Sequence, residues 1–282
     1  MPSPAARLAA VLGRQSARLE LRWMKQALKP SDPPTALMAM LERRLRGEPL
    51  QYILGTTPFG PLNLLSRPPT LIPRPETEDW TLRLANIISP TSTQPLSVLD
   101  LCTGSGCIPL LLCHLWPPGS ARAFGVDISE DAIKLATDNA ARCHIAAAHT
   151  DCVNIFTPLL GDLRNPDLHE SLPAPFDLVT SNPPYIPKQQ YDQLSPSVKD
   201  YEDPRALLGD FPGSSDGLSF YHLIARLLAR KGVLRDGAIV ALEVGDGQAQ
   251  AVETILHWSA GLRNTEIWTD PWGKQRVIIA RA

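Results

Sequence analysis

The sequence predicts an α/β protein. It has a Rossmann-like, mostly parallel sheet with helices on both faces, and a small helical unit ahead of it. Three observations carry this. Between about Pro75 and Val244, short apolar strand-like runs alternate with helix-period stretches, the rhythm of a parallel doubly wound sheet. The first 46 residues have only the helical period. The last two strand-like pieces are joined by Asp270-Pro271-Trp272-Gly273-Lys274, a hairpin turn that makes the final strand antiparallel.

In order along the chain, residues 4–28 and 35–46 read as amphipathic helices. Leu8, Val11 and Leu12 share one face of the first, and Leu37, Met40, Leu41 and Leu45 share one face of the second. The run Lys29-Pro30-Ser31-Asp32-Pro33-Pro34 breaks them apart. Residues 51–73 mix short apolar pieces with turn residues and read as an extended or hairpin linker. Helices are then expected at 76–88, 107–115, 130–142 and 219–228. Strands are expected at 96–101, 121–127, 154–160, 176–181, 238–244, 266–269 and 276–281, seven in all.

Composition bounds the function. A chain of 282 residues that is 44% apolar builds one catalytic domain with an appendage. A net charge of −2 disfavours a dedicated nucleic-acid binder. No apolar run reaches the roughly 20 residues of a membrane span. The cysteines (Cys102, Cys107, Cys113, Cys143, Cys152) are odd in number and form no CxxC pair, so a reducing compartment is expected. The histidines are scattered, and no metal site is expected. Before residue 30, Arg7, Arg14, Arg18, Arg22, Lys25 and Lys29 face a single acid, Glu20. That pattern reads as a mitochondrial presequence or, equally, as an ordinary basic helix face of a cytoplasmic protein.

Two loops carry chemistry. The first, Asp100-Leu101-Cys102-Thr103-Gly104-Ser105-Gly106, takes a strand through a glycine turn into a helix. It lacks the third glycine of a dinucleotide loop, so it suits a nucleoside with an amino-acid tail better than a pyrophosphate. Asp127 ends the next strand, where a carboxylate can accept both hydroxyls of a ribose. The plainer reading of Asp127 is a cap on the helix that follows.

The second loop, Asn182-Pro183-Pro184-Tyr185, follows the 176–181 strand and lies at the same edge of the sheet. A carboxamide nitrogen is a poor nucleophile, because its lone pair is delocalised into the carbonyl. Accepting both of its N–H bonds with oxygens fixes the nitrogen and stabilises the charge it develops in the transition state. The Asn182 side-chain oxygen and the Pro183 carbonyl can supply those acceptors. The prolines stiffen the loop, and Tyr185 can stack on a planar amide or base. The plainer reading is a tight turn that ends a strand.

These two loops resemble those of the class I methyltransferases. The whole chain is more closely similar to the HemK/PrmC family of release-factor glutamine methyltransferases. The stretches 47–55 (GEPLQYILG), 71–78 (LIPRPETE), 201–207 (YEDPRAL), 216–221 (DGLSFY), 242–245 (LEVG) and 273–277 (GKQRV) carry that resemblance. It implies an S-adenosylmethionine-dependent transfer to the amide nitrogen of the glutamine in the GGQ motif of a peptide-chain release factor, in translation termination. It also implies an N-terminal domain (1–50) that helps grip the release factor, a β-hairpin linker (51–74) and a methyltransferase domain (75–282). Asp100, Cys102, Thr103, Gly104, Ser105, Gly106 and Asp127 would contact the cofactor, and Asp162 and Leu163 would flank its adenine. Asn182 would be shared by cofactor and glutamine. Pro183, Pro184 and Tyr185 would line the glutamine pocket, with Phe59 nearby.

The chain departs from the family where Cys102 replaces a usual glycine, a change that a negative φ would accommodate. Residues 164–175 read as an inserted polar loop. Residues 188–215 form a long loop expected to cover the glutamine site. A release factor is the expected partner of a monomer, with no membrane and no direct nucleic acid. The rival reading is an adenine-N6 methyltransferase that flips a base into the same pocket. The near-neutral charge and the absence of a basic recognition segment disfavour it. A silent methyltransferase-like scaffold and a nicotinamide-dependent dehydrogenase fit less well still.

Overall fold

The computed structural model describes residues 3–145 and 153–282; Cys152 lies outside them. A hairpin of β1 (Thr56–Phe59) and β2 (Leu62–Leu65) precedes a sheet of seven strands. These are β3 (Leu96–Leu101), β4 (Ala121–Asp127), β5 (Ile155–Leu160), β6 (Phe176–Ser181), β7 (Leu234–Glu243), β8 (Asn264–Thr269) and β9 (Gln275–Arg281). Their spatial order is β5-β4-β3-β6-β7-β9-β8. From β5 across to β7 every pairing is parallel, while β9 runs antiparallel to both its neighbours, β7 and β8. The seven-stranded sheet with an antiparallel last strand is therefore present as expected. β7 begins at Leu234, earlier than the apolar run suggests, because Leu234 pairs with Phe176 across a bulge.

The order of strands reverses at β3. From there the chain steps outward to β4 and β5, then returns to the other side of β3 as β6. β3 is buried on both faces. Val98 packs into one hydrophobic cluster with Leu110, Leu111 and Trp80, while Leu99 and Leu101 pack into a second with Tyr221, Ile224 and Val252. Alternate side chains of a strand point to opposite faces, so this one strand nails both helical layers together. Each such side chain contributes roughly 1.5–3 kcal/mol by leaving water.

The N-terminal unit differs in one respect from the sequence expectation. The helix expected over 4–28 is two helices, Pro4–Leu12 and Arg14–Ala27, parted by Gly13 at φ 81° and ψ 155°. Helix Ala36–Leu45 follows as expected. The linker expected from residue 51 begins instead with a helical turn, Leu50–Leu54. Its Leu50 and Ile53 join Leu8, Ala17, Met24 and Leu41 in a separate small core. Phe59 is buried in the main core among Leu111 and Trp80 and does not line the cavity described below. The side chain of Asn139 ties the hairpin to helix Glu130–Arg142, accepting from Leu65 N at 2.6 Å.

Helix Ala249–Ala260 has no counterpart in the sequence reading, although Ala249, Val252, Ile255 and Leu256 mark its buried face. The stretch 164–175 is no plain polar insertion. It forms the turn Leu168–Ser171, and Leu168 and Leu172 are buried in the second cluster. Among the described residues no helix is long and apolar enough to cross a membrane, and no cluster of ligands suits a metal ion.

Candidate active site at the carboxyl ends of β3 and β6

Where strand order reverses, the loops leaving two adjacent strands diverge and open a crevice. Here those strands are β3 and β6. One delivers the glycine loop and the other the Asn-Pro-Pro-Tyr loop. A cavity of about 290 Å³ lies between them, lined by Cys102, Gly104, Asp127, Asp162, Leu163, Asn182 and Pro184, among others. Asp100, Thr103, Ser105, Gly106, Pro183 and Tyr185 stand behind this lining rather than in it. A wider hollow of about 490 Å³ opens at the opposite edge, around Leu96, Asp177 and Arg235 near the amino ends of the strands. Neither loop reaches it, and ligands of such sheets bind at the carboxyl ends.

The glycine loop is shaped by backbone. Thr103 N donates to Val126 O at 3.0 Å and Gly106 N to Thr103 O at 2.8 Å, after which helix Cys107–Leu115 begins. Gly104 has φ 54° and faces open space, which leaves its backbone bare to the cavity. Gly106 is needed for packing as well, since a Cβ there would lie 2.9 Å from Phe156 Cε1. Cys102 has φ 57°, in the left-handed region, so the negative φ expected to accommodate it is not adopted. The loop keeps a glycine-like turn with a cysteine in it, at a strain of about 1–2 kcal/mol.

Asp127 is not the cap of the helix that follows; that cap is Ser129, whose hydroxyl accepts from Ala132 N at 3.4 Å. Asp127 Oδ1 accepts from Ser129 N at 2.9 Å, in the turn just ahead of that cap, and its Oδ2 accepts from Gly104 N at 2.8 Å, clamping the glycine loop. A carboxylate has about four acceptor positions, so both oxygens keep lone pairs for a ligand. Burial pushes Asp127 upward, and the two backbone donors oppose it. Asp100 is fully buried under the loop, with Thr180 Oγ1 donating to its Oδ1 at 2.6 Å, and burial lifts its pKa to about 7. Asp162 is held below the ordinary carboxylate range by Arg164, 2.7 Å away.

Behind the second loop lies a buried polar group. Asn182 Nδ2 donates to Thr77 Oγ1 at 3.1 Å, and Thr77 Oγ1 donates to Glu243 Oε2 at 2.7 Å. Trp80 Nε1 donates to the same Oε2 at 2.8 Å, and Tyr185 Oη reaches Glu243 Oε1 at 3.4 Å. Burial pushes Glu243 up, against the pull of Trp80 and Thr77. Gln248 Nε2 donates to the carbonyls of Tyr185 and Asp216, at 3.0 and 2.9 Å. Gly209 packs so closely that a Cβ there would lie 2.7 Å from Tyr185 Cα. None of Thr77, Trp80, Glu243 or Gln248 was assigned a site role from the sequence, although Thr77 and Glu243 fall in the stretches LIPRPETE and LEVG.

The long segment expected to cover the site forms the far wall of the cavity, through Asp203, Arg205, Leu208 and Phe211. It folds into three single-turn helices, Lys188–Tyr191, Pro196–Lys199 and Pro204–Leu207. It is clasped to the linker, with Asp203 N donating to Pro69 O at 2.7 Å and buried Glu202 paired with Arg74 at 2.6 Å. At its start the linker folds back on itself, Tyr52 Oη of the turn Leu50–Leu54 donating to Thr70 O at 2.7 Å, while Leu50 and Ile53 of the same turn sit in the N-terminal core. The lining carries the carboxylates of Asp127, Asp162, Asp203 and Asp210 against the guanidiniums of Arg164 and Arg205. The cavity is thus acidic and favours a cationic ligand over a polyphosphate.

A reversed-order sheet with an antiparallel last strand, carrying a short glycine loop and Asn-Pro-Pro-Tyr at its switch point, defines the Rossmann-like methyltransferase class. A solved methyltransferase from Pyrococcus furiosus has the same fold, with a TM-score of 0.51 at 14% identity over 78% of this chain and 88% of that one. Residues 6–55 match the family model described as the PrmC N-terminal domain. The chain is 39% identical over 252 residues to the release factor glutamine methyltransferase of Thermodesulfovibrio yellowstonii, covering 88% of this chain and 82% of that one. It is 38% identical over 289 residues to that of Geobacter sulfurreducens, covering 95% and 91%. The chain belongs to the release factor glutamine methyltransferase family.

Proposed function

We propose that this chain methylates the side-chain amide nitrogen of the GGQ glutamine of a peptide-chain release factor, with S-adenosylmethionine as donor. The observation that carries this is one acidic cavity shared by the glycine loop and Asn182. The cofactor, when bound, supplies a methyl group on a cationic sulfonium, and its sulfonium and ammonium charges suit that lining. Gly104 and Cys102 present backbone to it, framed from behind by Asp100, Thr103, Ser105 and Gly106. The free lone pairs of Asp127 take the ribose hydroxyls, and Leu163 with Asp162 borders the adenine.

Asn182 Oδ1 and Pro183 O accept the two N–H bonds of the glutamine amide, so that the nitrogen lone pair is held in line for transfer. Pro184 and Tyr185 shape the pocket around it. The helical unit (1–50) grips the release factor, the linker (51–74) positions it, and the remainder (75–282) holds the chemistry. The basic N-terminal helices further suggest a mitochondrial address, tested by fractionating cells that express the tagged chain.

Incubation with S-adenosylmethionine and a recombinant release factor, followed by peptide mass spectrometry, tests the reaction. The expected product is one added methyl on the GGQ glutamine, formed far more slowly with Asn182→Ala. Methylation of an adenine-containing oligonucleotide instead would replace this reading with the base-directed one.

A further inference from the structure

Asn182 has two amide ends of nearly equal size and shape, one a donor and one an acceptor. Packing cannot tell them apart, so hydrogen bonding must decide which end faces the cavity. Its neighbours settle the matter through a chain of donors with a fixed direction. Trp80 Nε1 can only donate, and it donates to Glu243 Oε2 at 2.8 Å; its donation and that of Thr77 favour the carboxylate form of Glu243, which has no hydrogen of its own to offer. Thr77 Oγ1 lies 2.7 Å from the same oxygen and commits its single hydrogen there. Only lone pairs then remain on Thr77 Oγ1 for Asn182, 3.1 Å away, so the amide must offer it the NH₂ end. The carbonyl end, Oδ1, is left for the cavity that Asn182 lines.

The relay is dry. Thr77, Trp80 and Glu243 are 1%, 2% and 1% exposed, which leaves little room for water to substitute for a missing partner. A flipped Asn182 would set two acceptors face to face behind the loop and present a donor to the N–H bonds of the substrate. Either clash is penalised in a buried site.

We infer that Thr77 and Glu243, braced by Trp80, are positioning residues that lock the Asn182 carbonyl oxygen toward the substrate nitrogen. The inference rests on the glutamine-methylation reading and adds to it the origin of the polarity of Asn182. Thr77 comes from the first helix of the catalytic domain and Glu243 from the end of β7. One helix and one strand, far apart in the chain, therefore converge on the loop after β6 to orient its amide.

Thr77→Val removes the hydroxyl at nearly constant volume, and Thr77→Ser restores it. With a release factor as substrate, Thr77→Val is expected to lower kcat about 10- to 100-fold while KM for S-adenosylmethionine stays within about twofold, as for a lost buried hydrogen bond felt in the transition state. Thr77→Ser is expected to recover most of that loss. A second readout does not depend on turnover. In protein labelled with ¹⁵N-asparagine, the Asn182 side-chain NH₂ pair, assigned by its loss in Asn182→Asp, should exchange slowly with solvent in the wild type and Thr77→Ser but quickly in Thr77→Val.

Wild-type kcat in Thr77→Val, a Thr77→Ser variant as slow as Thr77→Val, or a fast-exchanging Asn182 pair in the wild type would each overturn the relay. A wild-type enzyme that leaves glutamine unmodified would sink the reading of the substrate, and the amide resonances would still decide the relay.

Discussion

The two loops that meet at the cavity are built in opposite ways. The glycine loop after β3 is held through its backbone groups, with Thr103 N on Val126 O, Gly104 N on the Asp127 carboxylate and Ser105 O accepting from Asn139, and by left-handed turns. The Asn-Pro-Pro-Tyr loop after β6 is held by side chains from distant elements and by glycines that press against Tyr185. A backbone-defined loop depends little on side-chain identity and can carry a cysteine where the family has glycine. A loop oriented by side chains depends on single atoms. Substitutions should therefore separate the two sharply, and the expected effects run from large to small.

Asn182→Ala tests the demanding side most directly. Loss of a preorganised acceptor should cost about 10²–10³ in kcat. The melting temperature should move little, because Asn182 is only partly buried. A rate within tenfold of wild type would erase the contrast. Next, Gly209→Ala forces a methyl to within 2.6 Å of Gly217 O and 2.7 Å of Tyr185 Cα, both backbone atoms that cannot turn aside. Urea unfolding should show a loss of about 2–3 kcal/mol, in the range of overpacked cores.

On the glycine-loop side, Asp100→Asn probes a buried acid. Burial raises the Asp100 pKa from 3.8 to about 7, so its favourable contribution is complete below the unfolded value and is lost as pH rises through the folded one. The stability of the Asn variant relative to wild type should therefore climb between about pH 4 and pH 7 and level off above. A pH-independent difference in unfolding midpoint would show that the carboxyl is not so perturbed. The smallest effect is expected for Cys102→Gly. Relief of a left-handed cysteine is offset by greater freedom of the unfolded chain, leaving a net change within about 1 kcal/mol. Methyl transfer should stay within about twofold of wild type, and a larger loss would show that the cysteine side chain itself is used.

Much of this contrast was legible in the sequence, for a physical reason. Strands buried on both faces are nearly continuous apolar runs, so β3, β4 and β6 could be placed within a residue of their ends. Both loops follow such strands directly and could be placed at one edge of the sheet. What could not be read depends on contacts far apart in the chain. Thr77 lies 105 residues from Asn182 and 166 from Glu243, and no local pattern announces that they touch. Single-turn helices such as Leu50–Leu54 or Pro204–Leu207 are too short to show a period. Gly13 looks tolerable within an amphipathic run until its backbone is seen to leave the helix. Phe59 lies in a stretch the resemblance placed near the glutamine, but the hairpin turns it into the core.

The clasp between the linker and the far wall has a practical consequence for anyone who wants the catalytic part alone. Secondary structure suggests cutting the gene just before Pro75, where the first helix of that part begins. Such a cut would discard Arg74 and Pro69, stranding the buried carboxylate of Glu202 without its cation and the N–H of Asp203 without its acceptor. The seam of the molecule therefore runs upstream of its visible boundary, and a fragment meant to stay intact has to begin before Pro69.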